Sequence, residues 1–394
     1  MRIETLKIKN FKVFKDVEVK KIPNMAVFLG MNGVGKSTFF DIFGFLNDCL
    51  TQNVKTALAA RHGFKEVISR DQEGDIEFLI QFRPAPREPL VTYELSIGLD
   101  SNEQPVVTKE TMRFRRGQNG KPFIVLDFSY GKGYAVSGKI NSLEDVQNTN
   151  RTDQSLNSPD ILAIKGLGQF QDFVAVSAFR KLVEDWHVSD FHIDEAKQRN
   201  PAGYSESLSK TGDNLANVAK YMFETHKSLF DAILKKMKER VPGVTNVEAE
   251  DTKDGYVVLR FNDGKFKDPF SSRLVSDGTI KMFAYLVMLN SPSKRSLLCV
   301  EEPENQLYPQ LLQVLAEEFR AYSDAGGQVF ISTHSPDFLN AVNLNEVIVF
   351  KKKNGYTYAE KLSKNDEIKK LVSYGDKLGW LWKQGFFDEV GSEK

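Results

Sequence analysis

The residues with the clearest chemistry are Gly30-Met31-Asn32-Gly33-Val34-Gly35-Lys36-Ser37, followed by Thr38. They fill G-x-x-x-x-G-K-[ST] at every position. Glycines at this spacing let the backbone curl so that N–H groups point at phosphate oxygens, and a helix start adds the positive end of its dipole. Lys36 reaches the β- and γ-phosphates as a point charge, and the Ser37 hydroxyl suits a magnesium ion. The nucleotide cradle assigned here comprises Asn32, Gly33, Gly35, Lys36, Ser37 and Thr38, with Ser37 also a metal ligand.

A second chemical feature is "LLCVEEPENQL", residues 297–307. An apolar run ends on two adjacent carboxylates, Glu301 and Glu302, which is costly unless a cation neutralises them. Alone, the pair would read as solvated acids at a strand end. In a chain with a phosphate loop the cation is Mg²⁺ brought in with the nucleotide. Glu301 then holds the metal or a water bound to it, and Glu302 polarises the water that attacks the γ-phosphate.

Two further segments fit between and beyond these. In "RLVSDGTIKMFAYLVML", Ser276 and Gly278 precede a predicted helix whose N–H groups offer a second anion site. In "FISTHSPDF", His334 follows a predicted strand and precedes Pro336. A histidine there can donate to the γ-phosphate and orient the attacking water.

The elements that must position these groups are legible in outline. Residues 2–8 and 25–29 read as strands, the second feeding the phosphate loop, with a helix from Lys36 to about Leu50. "DIEFLIQF", "LVTYELSIGL", "VVTKETMRFR" and "PFIVLDFSY" predict an antiparallel subdomain. Residues 141–159 are polar and read as a surface loop. The pattern turns helical from about 160 to 240, with "DNLANVAKYMFETHKSLFDAILKKMKERV" at helical spacing. Strands at 244–250 and 256–261 and a helix at 277–290 follow. Strand (297–300), helix (309–323), strand (328–332), helix (336–341) and strand (346–350) then alternate, as a mostly parallel sheet requires. No heptad array leaves room for a long coiled coil.

Composition sets the bounds. The 394 residues carry 53 basic and 53 acidic side chains, so no global field steers the chain towards nucleic acid. Cys49 and Cys299 lie far apart, which argues against a disulfide framework and suits a reducing cytoplasm. The start of the chain has no signal-peptide pattern, and the longest apolar run, 282–289, is too short for a bilayer. A cytoplasmic protein without a membrane segment is expected.

As an ordered set, "LKIKNFKVFKDVEV", "GMNGVGKST", "LVSDGTIKMFAYL", "LLCVEEPENQLYP" and "ISTHSP" resemble the ABC-type ATPases. The likeness is to their soluble branch related to RecF and the SMC proteins, and to small AAA-type ATPases without a transmembrane partner domain. It implies an α/β P-loop fold with two lobes. Residues 1–159 and 291–394 would form a nucleotide-binding lobe with its β subdomain, and residues 160–290 a helical lobe carrying the signature. It also implies a homodimer with ATP sandwiched between copies, Ser276 and Gly278 of one facing the γ-phosphate held by Lys36 of the other. The same resemblance gives Glu301 to magnesium, Glu302 to water activation and His334 to γ-phosphate sensing. The signature departs from the transporter form, reading "VSDGT", and Tyr308 stands where transporters place an aspartate. Gln81, Gln169 and Gln171 compete for the family's magnesium-contacting glutamine. Phe11, within the N-terminal motif Asn10-Phe11-Lys12, reads equally as core.

The output of such a cycle is left open among three classes. "MRFRRGQNGK" (112–121) and "KKK" (351–353) offer positive charge for a DNA clamp. The lack of a visible second catalytic domain suits a sensor or scaffold that holds a separate effector, as in defence ATPases. A transporter energiser is disfavoured by the inserted β segments. A protein that binds ATP as a lock, with negligible turnover, is the non-enzyme alternative.

Overall fold

The computed structural model describes residues 2–85, 88–115, 122–137 and 150–387. The fold is mixed α/β, and the chain divides into two compact units. The first comprises residues 1–186 and 348–364; the second comprises 187–347 and 365–394.

The first unit is dominated by an eight-stranded sheet whose neighbours all run antiparallel. Its order across the sheet is Phe14–Lys20, Arg2–Phe11, Ile76–Arg83, Val91–Leu99, Pro105–Arg115, Pro122–Ser129, Lys132–Ser137 and Asn150–Ser155. The strand Ile76–Arg83 alternates buried and half-buried residues without a break, the period-two pattern that reveals it in sequence. The last strand, Asn150–Ser155, falls inside the segment read as a loop. It has no apolar residue, so its pairing with Lys132–Ser137 is carried by the backbone and leaves no hydrophobic signature. Residues 141–149 of that reading lie outside the described residues.

In the same unit the strand Met25–Leu29 is buried at every position and leads into the helix Lys36–Thr51. An aromatic cluster packs beneath them. Phe28 and Phe39 lie 4.3 Å apart between ring centroids, Phe28 and Phe350 5.4 Å, and Phe14 and Phe350 5.8 Å. Phe11 is fully buried against Phe45 and Phe78, so it belongs to this core. Val347–Lys353 and Tyr356–Lys361 form an antiparallel hairpin turned by Asn354 and Gly355, both in the left-handed region.

The second unit pairs Leu297–Glu301 with Val329–Thr333 in parallel, Glu301 opposite Ser332. The helix Pro309–Asp324 connects them. A smaller antiparallel sheet is built from Asn200–Pro201, Tyr256–Asp263, Val244–Asp251 and Phe270–Ser271. The helix Asp277–Leu289 buries every residue from Ile280 to Leu289. The stretch read as one helical run is two helices, Leu215–Thr225 and Lys227–Arg240, separated by His226 in a non-helical conformation. The short strand Trp186–Ser189 interrupts the helical reading further upstream. The longest helices among the described residues, Lys36–Thr51 and Pro309–Asp324, have 16 residues each, which bears out the absence of a long coiled coil.

Candidate functional site

The phosphate loop lies in the first unit. Gly33 (φ 76°) and Gly35 (φ 104°) are in the left-handed region, where a side chain is strained. A Cβ at Gly35 would stand 2.6 Å from Val13 Cγ2 and 3.2 Å from Thr357 Oγ1. Thr357 holds the loop from that side, its hydroxyl donating to the Val34 carbonyl at 2.5 Å. Lys36 is 6% exposed, and its ammonium donates to the carbonyls of Gly30 at 2.8 Å and Met31 at 3.4 Å. The loop therefore folds around a buried positive charge. The helix starts at Lys36 with no described side chain capping it, and Ser37 is exposed while Thr38 is half-buried. An ammonium, a helix start and two hydroxyls are the donors that a phosphate chain and a hard cation require. These residues fit a magnesium nucleotide.

The acidic pair, the histidine and the signature lie in the second unit. Glu301 ends its strand half-buried. Glu302 leaves it with φ 40°, a conformation that costs a non-glycine residue roughly 1–3 kcal/mol. Its N–H donates to the Ser332 carbonyl at 3.0 Å and lies 3.2 Å from the Ser332 hydroxyl. That turn directs one carboxylate oxygen to His334 Nδ1 at 3.2 Å, while the other accepts from Asn305 Nδ2 at 3.0 Å. Glu302 and His334, 32 residues apart in sequence, thus meet. Ser335 caps the short helix Pro336–Leu339 by accepting from the Phe338 N–H, which orients the loop that carries His334.

Ser276 caps the signature helix, accepting from the Thr279 N–H. Lys197 bonds Asp277 at 2.5 Å. At Gly278 a Cβ would lie 3.0 Å from the Gln306 carbonyl, so the helix start packs closely on the chain just past the acids. An open cleft lies between them, lined by Ser276, Gly278, Gln306 and Tyr308 and bounded by Arg240 and Pro242. Tyr308 and Leu274 are among the most exposed large apolar side chains described.

Sequence reasoning missed three groups here. Glu304 and Thr333 bond one another, and Lys281 reaches the Asn305 carbonyl. The third acid of "EEPEN" and a lysine opening an otherwise apolar helical run were the available signals. Among the candidate glutamines, Gln81 bonds Thr92 within the large sheet and Gln169 donates to the Lys165 carbonyl. Of the basic cluster, Arg113 is paired with Glu94 at 2.5 Å, and residues 116–121 lie outside the described residues. Lys351 bridges Glu360, whereas Lys352 and Lys353 are exposed.

Residues 25–340, more than half of the chain, match the family model described as "AAA domain, putative AbiEii toxin, Type IV TA system". The chain belongs to this AAA-domain family. It is an AAA-type ATPase domain whose ordered motifs resemble those of the RecF/SMC-like ABC ATPases. This AAA-domain chain is 26% identical over 195 residues to the Old nuclease of Escherichia phage P2, covering 44% of itself and 33% of that protein. It is 33% identical over 96 residues to the DNA replication and repair protein RecF of Porphyromonas gingivalis, covering 23% of itself and 26% of that protein. The chain therefore spans about a third of the first relative and about a quarter of the second. Among solved structures it is similar to an SMC head bound to the C-winged helix domain of ScpA. That likeness has a TM-score of 0.54 at 15% identity and covers 94% of this chain and 100% of the other, a likeness of fold. No helix among the described residues is long and apolar enough to cross a membrane.

Proposed function

We propose that the chain binds Mg-ATP through residues 30–38 and hydrolyses it, and that this cycle closes and opens a homodimer. The observation that carries the reading is the approach of Glu302 to His334 at the end of the acidic strand, in a chain whose phosphate loop is complete. Bound magnesium would offset charge on the phosphates. Lys36 exchanges its loop carbonyls for phosphate oxygens, and Ser37 and Glu301 supply oxygens to the metal or its water. The Glu302 carboxylate accepts a proton from the attacking water, and His334 fixes the direction of that carboxylate. In the dimer, Ser276 and Gly278 of one copy face the nucleotide held by the other. The exposed Tyr308 and Leu274 beside that helix start are suited to burial against a second copy.

The test is phosphate release by the wild type and by Glu302→Gln, with the mass of each followed by sedimentation. The proposal expects turnover in the wild type, its loss in Glu302→Gln, and an ATP-dependent dimer that persists in the variant. Equal, near-zero release with a stable ATP-bound dimer in both would instead establish an ATP-locked scaffold.

A DNA-directed output is the second reading. It is favoured by the partial similarity to proteins named as a nuclease and as a DNA replication and repair protein. Exposed Lys352 and Lys353 on the 347–361 hairpin are suited to phosphate binding. A separate effector protein, held or released by the dimer, is the partner expected if DNA is not bound.

A further inference from the structure

A third carboxylate is built into the loops that carry Glu302 and His334. The Glu304 side chain is only 7% exposed. Its Oε1 accepts from the Thr333 hydroxyl at 2.6 Å and from the His334 backbone N–H at 3.1 Å. Its other oxygen, Oε2, is buried and has no hydrogen-bond partner among the described residues. Leaving a buried carboxylate oxygen unpaired costs free energy, so its placement calls for an explanation.

A buried cation faces the same turn. Lys281, in the second turn of the signature helix, is 3% exposed and donates to the Asn305 carbonyl at 2.8 Å. Burial lowers its pKa to about 8, against the opposing pull of Glu304, Asp190 and Glu302. Asn305 in turn donates its side-chain amide to Glu302. The bonds run without interruption: Lys281 to Asn305, Asn305 to Glu302, Glu302 to His334, and the His334 backbone to Glu304.

Resting on the hydrolytic reading above, we propose that Glu304 and Lys281 are positioning residues. Glu304 pins Thr333 and His334 so that the imidazole stays within reach of Glu302. Lys281 fixes the 302–305 turn to the signature helix, so that movement at Ser276 and Gly278 is transmitted to the Glu302 carboxylate. Neither side chain need touch the nucleotide. If instead Glu304 only filled space in the second unit, its removal would loosen the whole unit and leave no local signature.

The full chain is compared with Glu304→Ala, Glu304→Gln and Lys281→Met. Backbone hydrogen exchange over 329–338 and 302–307 is read without nucleotide. The dissociation constant of a fluorescent ATP analogue and the steady-state kcat and KM are read with magnesium. Glu304→Ala is expected to speed exchange at 333–334 by about tenfold and to lower kcat by at least about tenfold, with analogue affinity within about twofold. Glu304→Gln, whose amide oxygen still accepts from Thr333 and His334, is expected to recover most of both. Lys281→Met is expected to loosen 302–307 while leaving 333–334 protected. Unchanged exchange at 333–334 in Glu304→Ala, a rise spread over the whole chain, or a Gln variant as impaired as Ala would each overturn the proposal. Exchange is read without nucleotide, so absent wild-type turnover would sink only the hydrolytic reading and leave this test decisive.

Discussion

His334 Nδ1 lies 3.2 Å from Glu302 Oε1. In the tautomer protonated at Nδ1 the imidazole donates to this carboxylate oxygen. The neutral ring then presents Nε2 as an acceptor, and only an imidazolium could donate from Nε2 to a phosphate at the same time. On the hydrolytic reading proposed above, the histidine acts first on Glu302, aiming its carboxylate. Glu302→Gln is expected to lower phosphate release by about 10²–10⁴-fold, the range of a lost general base. His334→Ala is expected to lower it less, by roughly tenfold to a hundredfold, because the base is misaimed but present. A larger loss in His334→Ala than in Glu302→Gln would reverse these roles.

Gly35 should tolerate no side chain. Its φ is 104°, and a Cβ there would approach Val13 Cγ2 to 2.6 Å, so backbone strain combines with a clash against a packed neighbour. Gly35→Ala is expected to cost on the order of 1–3 kcal/mol in urea unfolding and to abolish the rise in melting temperature on adding ATP and magnesium. Gly33 provides the control: its φ is also positive, but open space surrounds its Cβ direction, so Gly33→Ala should cost less.

The first unit carries a pH-sensitive tie away from the nucleotide residues. Glu110 is fully buried and accepts from the N–H groups of Ala163 and Ile164 and from the Tyr93 hydroxyl. Burial raises its pKa from 4.5 to about 7, with those three donors opposing the shift. The folded chain therefore holds this proton more tightly than the unfolded chain. Its contribution to stability is full below about pH 4.5 and falls as pH rises to about 7. Glu110→Gln is expected to flatten the part of the stability–pH curve that wild type shows in this window. An identical slope in both proteins would count against the assignment.

If DNA is bound, the groups engaged should be those without a competing acid. Arg113 is paired with Glu94, whereas Lys352 and Lys353 are exposed. Lys352→Ala with Lys353→Ala is expected to reduce the salt dependence of DNA retention, by about one unit of log–log slope for each phosphate no longer neutralised. Arg113→Ala should change it little. The reverse pattern would move the DNA-binding surface to the large sheet.

Much of this was legible in sequence because it rests on local rules. The phosphate loop announces itself by glycine spacing, and Ile76–Arg83 by alternation. The strand–helix–strand order from 297 to 333 follows from short apolar runs and the Pro309 helix start. What escaped depends on pairing across distance. Asn150–Ser155 has no apolar residue to mark it. The break at His226 has no proline or glycine; the His226 ring is held by the Tyr221 hydroxyl, which periodicity cannot register. In sequence Glu304 is one more acid after a strand, and only the folded chain shows that it is buried on Thr333 and His334.

The central claim is that residues 30–38 take up a magnesium nucleotide. The most direct measurement is equilibrium titration of the purified chain with a fluorescent ATP analogue, with and without magnesium, beside Lys36→Ala. Saturable binding that magnesium strengthens and that Lys36→Ala weakens by at least about a hundredfold is the expected result. No binding by the wild type at any magnesium concentration, or equal binding by Lys36→Ala, would contradict the account.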